Sequence, residues 1–155
     1  MRSKYLYPKI HDDIVLEFCK KCEKINYVNN DSLKSMKWFW DEVMWSGTFI
    51  NDTLVSLSGI HPFPEMNENA FRVMYRGVTL PGVSSKFLNF EQLSLNKEWA
   101  YLQNEKAEFY VTFNVSSKIG GKSYRLKKVM KRLKKIKYVK KMKYFNVMQE
   151  VFIFL

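Results

Sequence analysis

This sequence has few cysteines and none of the common catalytic motifs. Its only two cysteines among 155 residues, Cys19 and Cys22, exclude the disulfide framework that holds many small secreted domains together. They lie on the apolar stripe of a predicted helix, and a zinc site would need further ligands at suitable spacing, so we interpret them as structural cysteines. The P-loop, the Gly-x-Ser-x-Gly nucleophile elbow and the His-Glu-x-x-His zinc motif are missing as well. These absences argue against the enzyme classes that those motifs define, and we expect no metal site.

Long apolar segments are also missing. No apolar run approaches the roughly 20 residues that cross a bilayer, and residues 1–9 lack the apolar segment of a secretory signal. The residues are nevertheless 46% hydrophobic and 16% aromatic, which is enough to build a core. We expect residues 1–155 to form a single domain in a reducing cytoplasm, without a transmembrane segment.

Acidic residues are scarce in the last quarter of the chain. Residues 118–155 hold 13 Lys and Arg against one acid, Glu150, whereas the first 117 residues hold 13 bases and 14 acids. A basic patch of this kind suits an anionic partner, which is a nucleic acid, a phosphorylated cofactor or a membrane surface. The simpler interpretation, that the lysines only solvate the outer faces of a helix, stays open at this point.

The apolar residues recur with two different periods, which predicts a mixture of strands and helices. Strand-like segments are residues 4–10, 48–51, 54–61, 70–80, 109–115, 139–145 and 147–155. Helical segments begin near residues 12, 31, 84 and 122. We expect the second helix to reach Trp45 and the fourth to keep its apolar stripe as far as Ile136. This order predicts an α/β (α+β) fold with a mixed, mostly antiparallel central sheet of six to seven strands flanked by helices.

The order of elements over essentially the whole chain resembles the GNAT superfamily of acyl-CoA-dependent N-acyltransferases. The resemblance rests on a hairpin followed by a long strand and a helix start, on a strand that ends at Asn114 before the fourth helix, and on a closing hairpin. The segments 59–64 and 76–82 also resemble divergent acetyltransferase-like proteins of phages and marine microbes. The resemblance implies one GNAT-like domain over residues 1–155.

The resemblance also implies how the cosubstrate acetyl-CoA would bind. In the superfamily, acyl-CoA lies in a split of the sheet beside the central strand, and its pyrophosphate rests on amides at the start of the following helix. The residues that would contact pantetheine are Val78, Thr79 and Leu80. The phosphate cradle would consist of Gly82, Val83, Ser84 and Ser85, with Lys86 as a nearby cation. Asn114 matches the polar residue that follows the fifth strand.

An acid and a base are implied as well. A GNAT enzyme deprotonates an amine with a carboxylate or similar base near the central strands, and His61 and Glu65, which flank the turn 62–64, are the candidates. Tyr124 is the candidate for the tyrosine that protonates the leaving thiolate. The alternatives are that His61 is a structural residue at a strand end and that Glu65 is a solvated loop acid.

Two functions remain open at the level of the sequence. The first is an N-acetyltransferase that moves an acetyl group from acetyl-CoA to an amine of an unidentified acceptor. Two features depart from the superfamily pattern: the phosphate cradle has a single glycine, Gly82, and the gap from Asn114 to Tyr124 is longer than usual. The alternative is a GNAT-like fold without catalysis that binds nucleic acid through the basic C-terminal quarter, whose tyrosines could stack on bases.

Overall fold

Seven strands and three helices make up the part of the chain that the structure describes. This computed structural model describes residues 2–18, 43–75, 85–116, 122–144 and 146–155. The strands are β1 (Arg2–Leu6), β2 (Met44–Ile50), β3 (Thr53–Pro62), β4 (Ala70–Tyr75), β5 (Glu108–Asn114), β6 (Ile136–Tyr144) and β7 (Val147–Phe154). The helices are α1 (residues 12–18), α2 (Ser85–Gln103) and α3 (Lys122–Arg132).

All seven strands belong to one mixed, mostly antiparallel sheet with the order β1-β2-β3-β4-β5-β7-β6. β1 and β6 are therefore its edge strands, and the predicted fold class and strand number are confirmed. The chain divides into two compact units, Met1–Pro62 with Val73–Glu105 and Phe63–Arg72 with Lys106–Leu155. β4 consequently contributes its first half to the second unit and its second half to the first.

The apolar core of the first unit lies on one face of β1, β2 and β3. Trp45 and Leu57 are each at most 1% exposed and belong to one cluster with Val15 and Phe18 of α1. Trp45 is paired with Gly59 across the β2–β3 ladder. A Cβ atom at Gly59 would approach the indole Cε3 of Trp45 to 2.9 Å. The missing side chain of Gly59 therefore leaves room for the largest residue of this core.

The opposite face of these strands is polar and buried against α2. We call this set of fully buried residues the polar seam; its members are Ser46, Thr48, Ser56, Ser58, Gln92 and Asn96. Asn96 accepts a hydrogen bond from Ser46 and donates one to Ser58, both at 3.0 Å. Gln92 donates to the hydroxyl of Thr48 at 2.9 Å. Because Gln92 and Asn96 are four residues apart, both lie on one face of α2, and their bonds fix the helix on β2 and β3.

Aromatic rings form the core of the second unit. Phe63 is fully buried, and its ring meets those of Tyr110 and Tyr144 edge to face, with centroid distances of 6.1 and 5.2 Å. Phe113 and Phe152 form another T-shaped pair at 5.8 Å. Since Phe113 is three residues after Tyr110, this second pair lies on the opposite face of β5. β5 is thus covered by aromatic contacts on both faces.

The end of α3 differs from the prediction. The helix ends at Arg132, and Ile136, which was predicted to continue its stripe, is the buried first residue of β6. The backbone N–H groups of Lys134 and Lys135 donate to the carbonyls three and five residues earlier, at 3.0 and 2.9 Å. With a φ of 54° at Lys134, these bonds form a Schellman motif. Glycine is the usual residue at such a position, so the sequence contains no signal for this helix end.

Other predicted boundaries vary in accuracy. The hairpin turn between β2 and β3 is confirmed, with Asn51 and Asp52 both at positive φ. The prediction that the second helix reaches Trp45 is wrong, because β2 already begins at Met44. The body of that predicted helix, together with Cys19 and Cys22, lies outside the described residues. Ile14, expected on the apolar stripe of α1, is 43% exposed.

Candidate active site

His61 is the best-defined candidate in the first unit. It is the second-last residue of β3 and only 5% exposed. Its Nδ1 lies 2.8 Å from the carbonyl oxygen of Pro62. A carbonyl oxygen can only accept, so Nδ1 carries the proton and the lone pair of the neutral ring is on Nε2. Position 61 therefore holds a buried imidazole in the tautomer that a proton acceptor at Nε2 requires.

Glu65 belongs to the second unit and is exposed in the turn of residues 64–66. The loop that follows is firmly held, because the side-chain amide of Asn67 donates to Glu108 at 2.7 Å and the backbone N–H of Glu108 donates to Asn69 at 2.9 Å. Glu108 is the first residue of β5, and Asn114 is its exposed last residue, about 20 Å further along the strand. The structure therefore does not bring Glu65 and Asn114 together.

The remaining predicted site residues lie at helix starts or outside the described residues. Ser85 is the first residue of α2, next to the helix start that was predicted near residue 84. Tyr124 is in the first turn of α3. The predicted pantetheine and phosphate contacts before the helix lie outside the described residues; these are Val78, Thr79, Leu80, Gly82, Val83 and Ser84.

The start of α2 is compatible with a bound anion. Its first turn contains no acidic residue, and its second residue is Lys86. The first amides of a helix have no acceptor within the helix, and the helix dipole adds positive potential there. A phosphate at this position would therefore meet no opposing carboxylate from the first turn of the helix.

The polar seam, which positions α2, was not predicted from the sequence. A signal was nevertheless present: Ser46 and Thr48 alternate on β2, Ser56 and Ser58 alternate on β3, and both pairs interrupt apolar segments. Most buried hydroxyls have a partner, so such pairs predict polar residues on the element that covers them, and only the Ser56 hydroxyl among these four lacks a partner. The seam reaches the surface at β1, where Ser3 and Thr48 share a hydrogen bond of 2.7 Å.

Arg72 has a structural role in the second unit. Its Nε donates to the hydroxyl of Thr112 at 2.8 Å, and its guanidinium lies 4.9 Å from the ring centroid of Tyr144. These contacts direct the charge towards β5 and β6 within the second unit. Arg76, four residues further along the chain, lies outside the described residues.

Two tyrosines have perturbed acidities. Burial raises the pKa of Tyr5 to about 12, with a further contribution from Glu98, whose carboxylate accepts a hydrogen bond from the Tyr5 hydroxyl at 3.1 Å. Burial, together with the charge of Glu108, also raises the pKa of Tyr110. Both groups are neutral near pH 7, so they act there as hydrogen-bond donors.

Metal and membrane features are not found in the described part of the chain. Within it, no group of three or more His, Cys, Asp or Glu residues could hold a metal ion. No helix among the described residues is long and apolar enough to cross a bilayer.

Solved structures with the same fold cover nearly the entire chain. A protein of the GNAT acetyltransferase family from Desulfovibrio desulfuricans has a TM-score of 0.67 at 10% identity, with 98% of each chain covered. The PaiA N-acetyltransferase of Thermoplasma acidophilum, solved in complex with coenzyme A, has a TM-score of 0.60 at 10% identity and covers 97% of this chain and 98% of its own. An acyl-CoA N-acyltransferase from Pseudomonas aeruginosa has a TM-score of 0.64 at 7% identity, with 99% of each chain covered.

Sequence comparison alone finds no relative. No protein-family model and no curated protein matches this sequence. The likeness is therefore one of structure, and it extends from the first strand to the last. The phage or marine-microbe type stays a prediction. The fold of this chain is that of the GNAT acetyltransferases.

Proposed function

We propose that this protein is an N-acyltransferase that moves an acetyl group from acetyl-CoA to an amine. The observation that carries the proposal is the likeness to acyltransferases over nearly the whole chain, one of which was solved with coenzyme A. A fold can serve several functions, so the residues at the predicted site must support the same chemistry. Three features of this chain do so: the start of α2, the tautomer of His61 and the position of Asn114.

The start of α2 would hold the phosphates of the cosubstrate. Ser85 opens the helix, no acid occupies its first turn, and Lys86 adds a positive charge. The polar seam fixes α2 on the sheet through Gln92 and Asn96, which lie two and three turns further along the helix. An anchored helix presents its first amides without having to reorganise when an anion binds. Acetyl-CoA supplies the activated thioester when bound.

His61 would serve as the general base. The amine must lose a proton as its nitrogen bonds to the thioester carbonyl carbon, and Nε2 of His61 carries the lone pair that can accept that proton. The bond to Pro62 holds the ring in this tautomer. Glu65 is the second candidate base, but its exposed position leaves its carboxylate solvated, which weakens the case for it.

The leaving group needs a proton once the carbon–sulfur bond breaks. Tyr124 would donate it from the first turn of α3. Asn114, at the exposed end of β5, would orient the cosubstrate through its side-chain amide. Val78, Thr79 and Leu80 would contact pantetheine, and Gly82, Val83 and Ser84 would complete the phosphate cradle. We propose that these residues act within one domain.

A transfer assay tests the proposal. Acetyl-CoA is incubated with the protein and a panel of primary amines that includes small polyamines, amino acids and peptide N-termini, and free CoA and acetylated amine are quantified by chromatography. We expect the two products to form in equal amounts with at least one amine. Production of CoA without acetylated amine, or of neither product with any amine, would argue against N-acyl transfer.

A further inference from the structure

The C-terminal quarter concentrates positive charge on a continuous surface of the second unit. Residues 128–143 contain nine Lys and Arg, all of them exposed, and no acid. We call these nine side chains the lysine ridge. It extends from the last turns of α3 through the Schellman turn onto β6, and the turn places helix and strand side by side because Lys135 bonds back to Met130.

The ridge presents cations in more than one direction. β6 is an edge strand, and its register with β7 shifts between Tyr138 and Lys140. Lys140 is paired with Val151, whereas Lys141 is paired with Glu150, so the two lysines point to opposite faces of the strand. Both are exposed. The edge of the sheet is thus a narrow ridge with positive charge on each side.

Protection of the sheet edge does not account for this pattern. Lysines on an edge strand discourage pairing with another sheet, and those of β6 have that effect. The charge, however, continues onto α3 at Lys128, Lys131 and Arg132, where no strand edge is present. Residues 128–143 also contain no acid, so the charge keeps one sign from α3 to the end of β6.

We propose that the lysine ridge binds the phosphate backbone of a single-stranded nucleic acid. A flexible polyanion can follow both sides of a ridge, whereas a flat bilayer meets only one side. Lysine makes point-charge contacts with phosphates without base readout, so the binding is expected to be independent of sequence. Tyr138, which is 47% exposed among these lysines, offers a ring on which a base can stack.

Fluorescence anisotropy tests the proposal without coenzyme A, so its outcome is independent of the acyltransferase activity. The probes are a labelled single-stranded oligonucleotide of about 20 nucleotides, the matching duplex, and vesicles containing phosphatidylserine. We expect the single strand to bind most tightly. If about five phosphates are contacted, affinity should fall roughly 100-fold between 50 and 200 mM salt. Preference for the duplex or for vesicles, or no binding at low salt, would overturn the proposal.

Two charge-matched variants distinguish the effect of the lysine ridge on binding from the effect of net charge. The ridge variant carries Lys137→Gln, Lys140→Gln and Lys141→Gln. The control loses the same charge elsewhere through substitution of the exposed residues Arg2, Lys9 and Lys106 by Gln. For the ridge variant, the slope of log affinity against log salt concentration should be smaller by about 2, since each phosphate contact with a single strand contributes about 0.7 to that slope. Equal effects of both variants would show that net charge alone drives binding, which would refute an assigned surface. Thermal unfolding confirms that both variants are folded.

Discussion

Nδ1 of His61 lies 2.8 Å from the carbonyl oxygen of Pro62, and this contact determines which nitrogen of the buried ring can accept a proton. Because the carbonyl has no proton to give, Nδ1 must donate, and the lone pair of the neutral ring is left on Nε2. A strand-end histidine without such a bond could take either tautomer. The contact therefore links a local feature of β3 to the proposed proton transfer.

Substitution of the proposed base should slow transfer. His61→Ala is expected to lower kcat/KM by about 10²–10⁴-fold, which is the usual contribution of a positioned general base. Glu65→Gln is the matched comparison, since it removes the other candidate base without changing size. A loss confined to Glu65→Gln would reassign the base, and activity retained by both variants would exclude both residues. Steady-state kinetics, with thermal unfolding to monitor folding, makes the comparison.

Loss of Asn96 should destabilise the first unit. Asn96→Ala removes two buried hydrogen bonds and leaves Ser46 with two longer contacts, to the hydroxyl of Ser58 and the carbonyl oxygen of Gln92, both at 3.3 Å. We expect the free energy of unfolding to fall by about 2–4 kcal/mol. Ser94→Ala, on the exposed face of the same helix, should change it by less than about 0.5 kcal/mol. Urea denaturation measures the change in the free energy of unfolding for both variants. Equal changes in the two variants would show that the polar seam does not anchor α2.

Glycine at the end of α3 should stabilise the protein. Lys134 has a φ of 54°, a conformation that costs a residue with a Cβ atom about 1–2 kcal/mol. Lys134→Gly removes this strain but adds chain entropy to the unfolded state, so we expect a net gain of about 0.5–1 kcal/mol. Lys135→Gly is the control, because that residue is not at positive φ. Stabilisation by the control alone, or by neither variant, would contradict the Schellman geometry.

The contribution of the Tyr5 hydroxyl to the free energy of unfolding should be lost at alkaline pH. Its pKa in the folded protein is raised to about 12, above the value of 10.0 for an unperturbed tyrosine. The contribution is therefore complete below about pH 10 and is lost as pH rises through about 12. The stability difference between the wild type and Tyr5→Phe should accordingly be constant from pH 7 to 9 and narrow above pH 10. A difference that stays constant to pH 12 would show that burial and Glu98 do not raise the pKa of Tyr5 in the folded protein.

The elements that were predicted correctly are those whose side chains follow one period without interruption. Phe109, Val111 and Phe113 alternate along β5, and the strand ends at Asn114 as predicted. The start of α2 at Ser85 and the turn at Asn51 and Asp52 also follow from local preferences that tertiary contacts did not override. Local sequence was sufficient at these positions because packing and propensity favour the same structure.

The predicted boundaries are wrong where tertiary contacts, and not local sequence, determine the end of an element. Trp45 was placed near the end of the second predicted helix, but it lies in β2, where its ring occupies the space above Gly59, its partner on β3. Ile136 continues the stripe of α3, but the chain turns at Lys134 without a glycine. For the candidate site, sequence gave the residue types, whereas the buried state of His61, its tautomer and the polar seam depend on contacts between distant segments.

Binding of acetyl-CoA tests the proposed function most directly. In a thermal unfolding titration, acetyl-CoA at 100 times its dissociation constant should stabilise the protein by about 2.7 kcal/mol, which corresponds to a Tm increase of about 5–10 °C. Lys86→Glu should reduce this shift, whereas Lys106→Glu, beyond the end of α2, should not. A saturable shift that depends on Lys86 is the predicted result. A Tm unchanged by acetyl-CoA and by free CoA would contradict an acyl-CoA site on this fold.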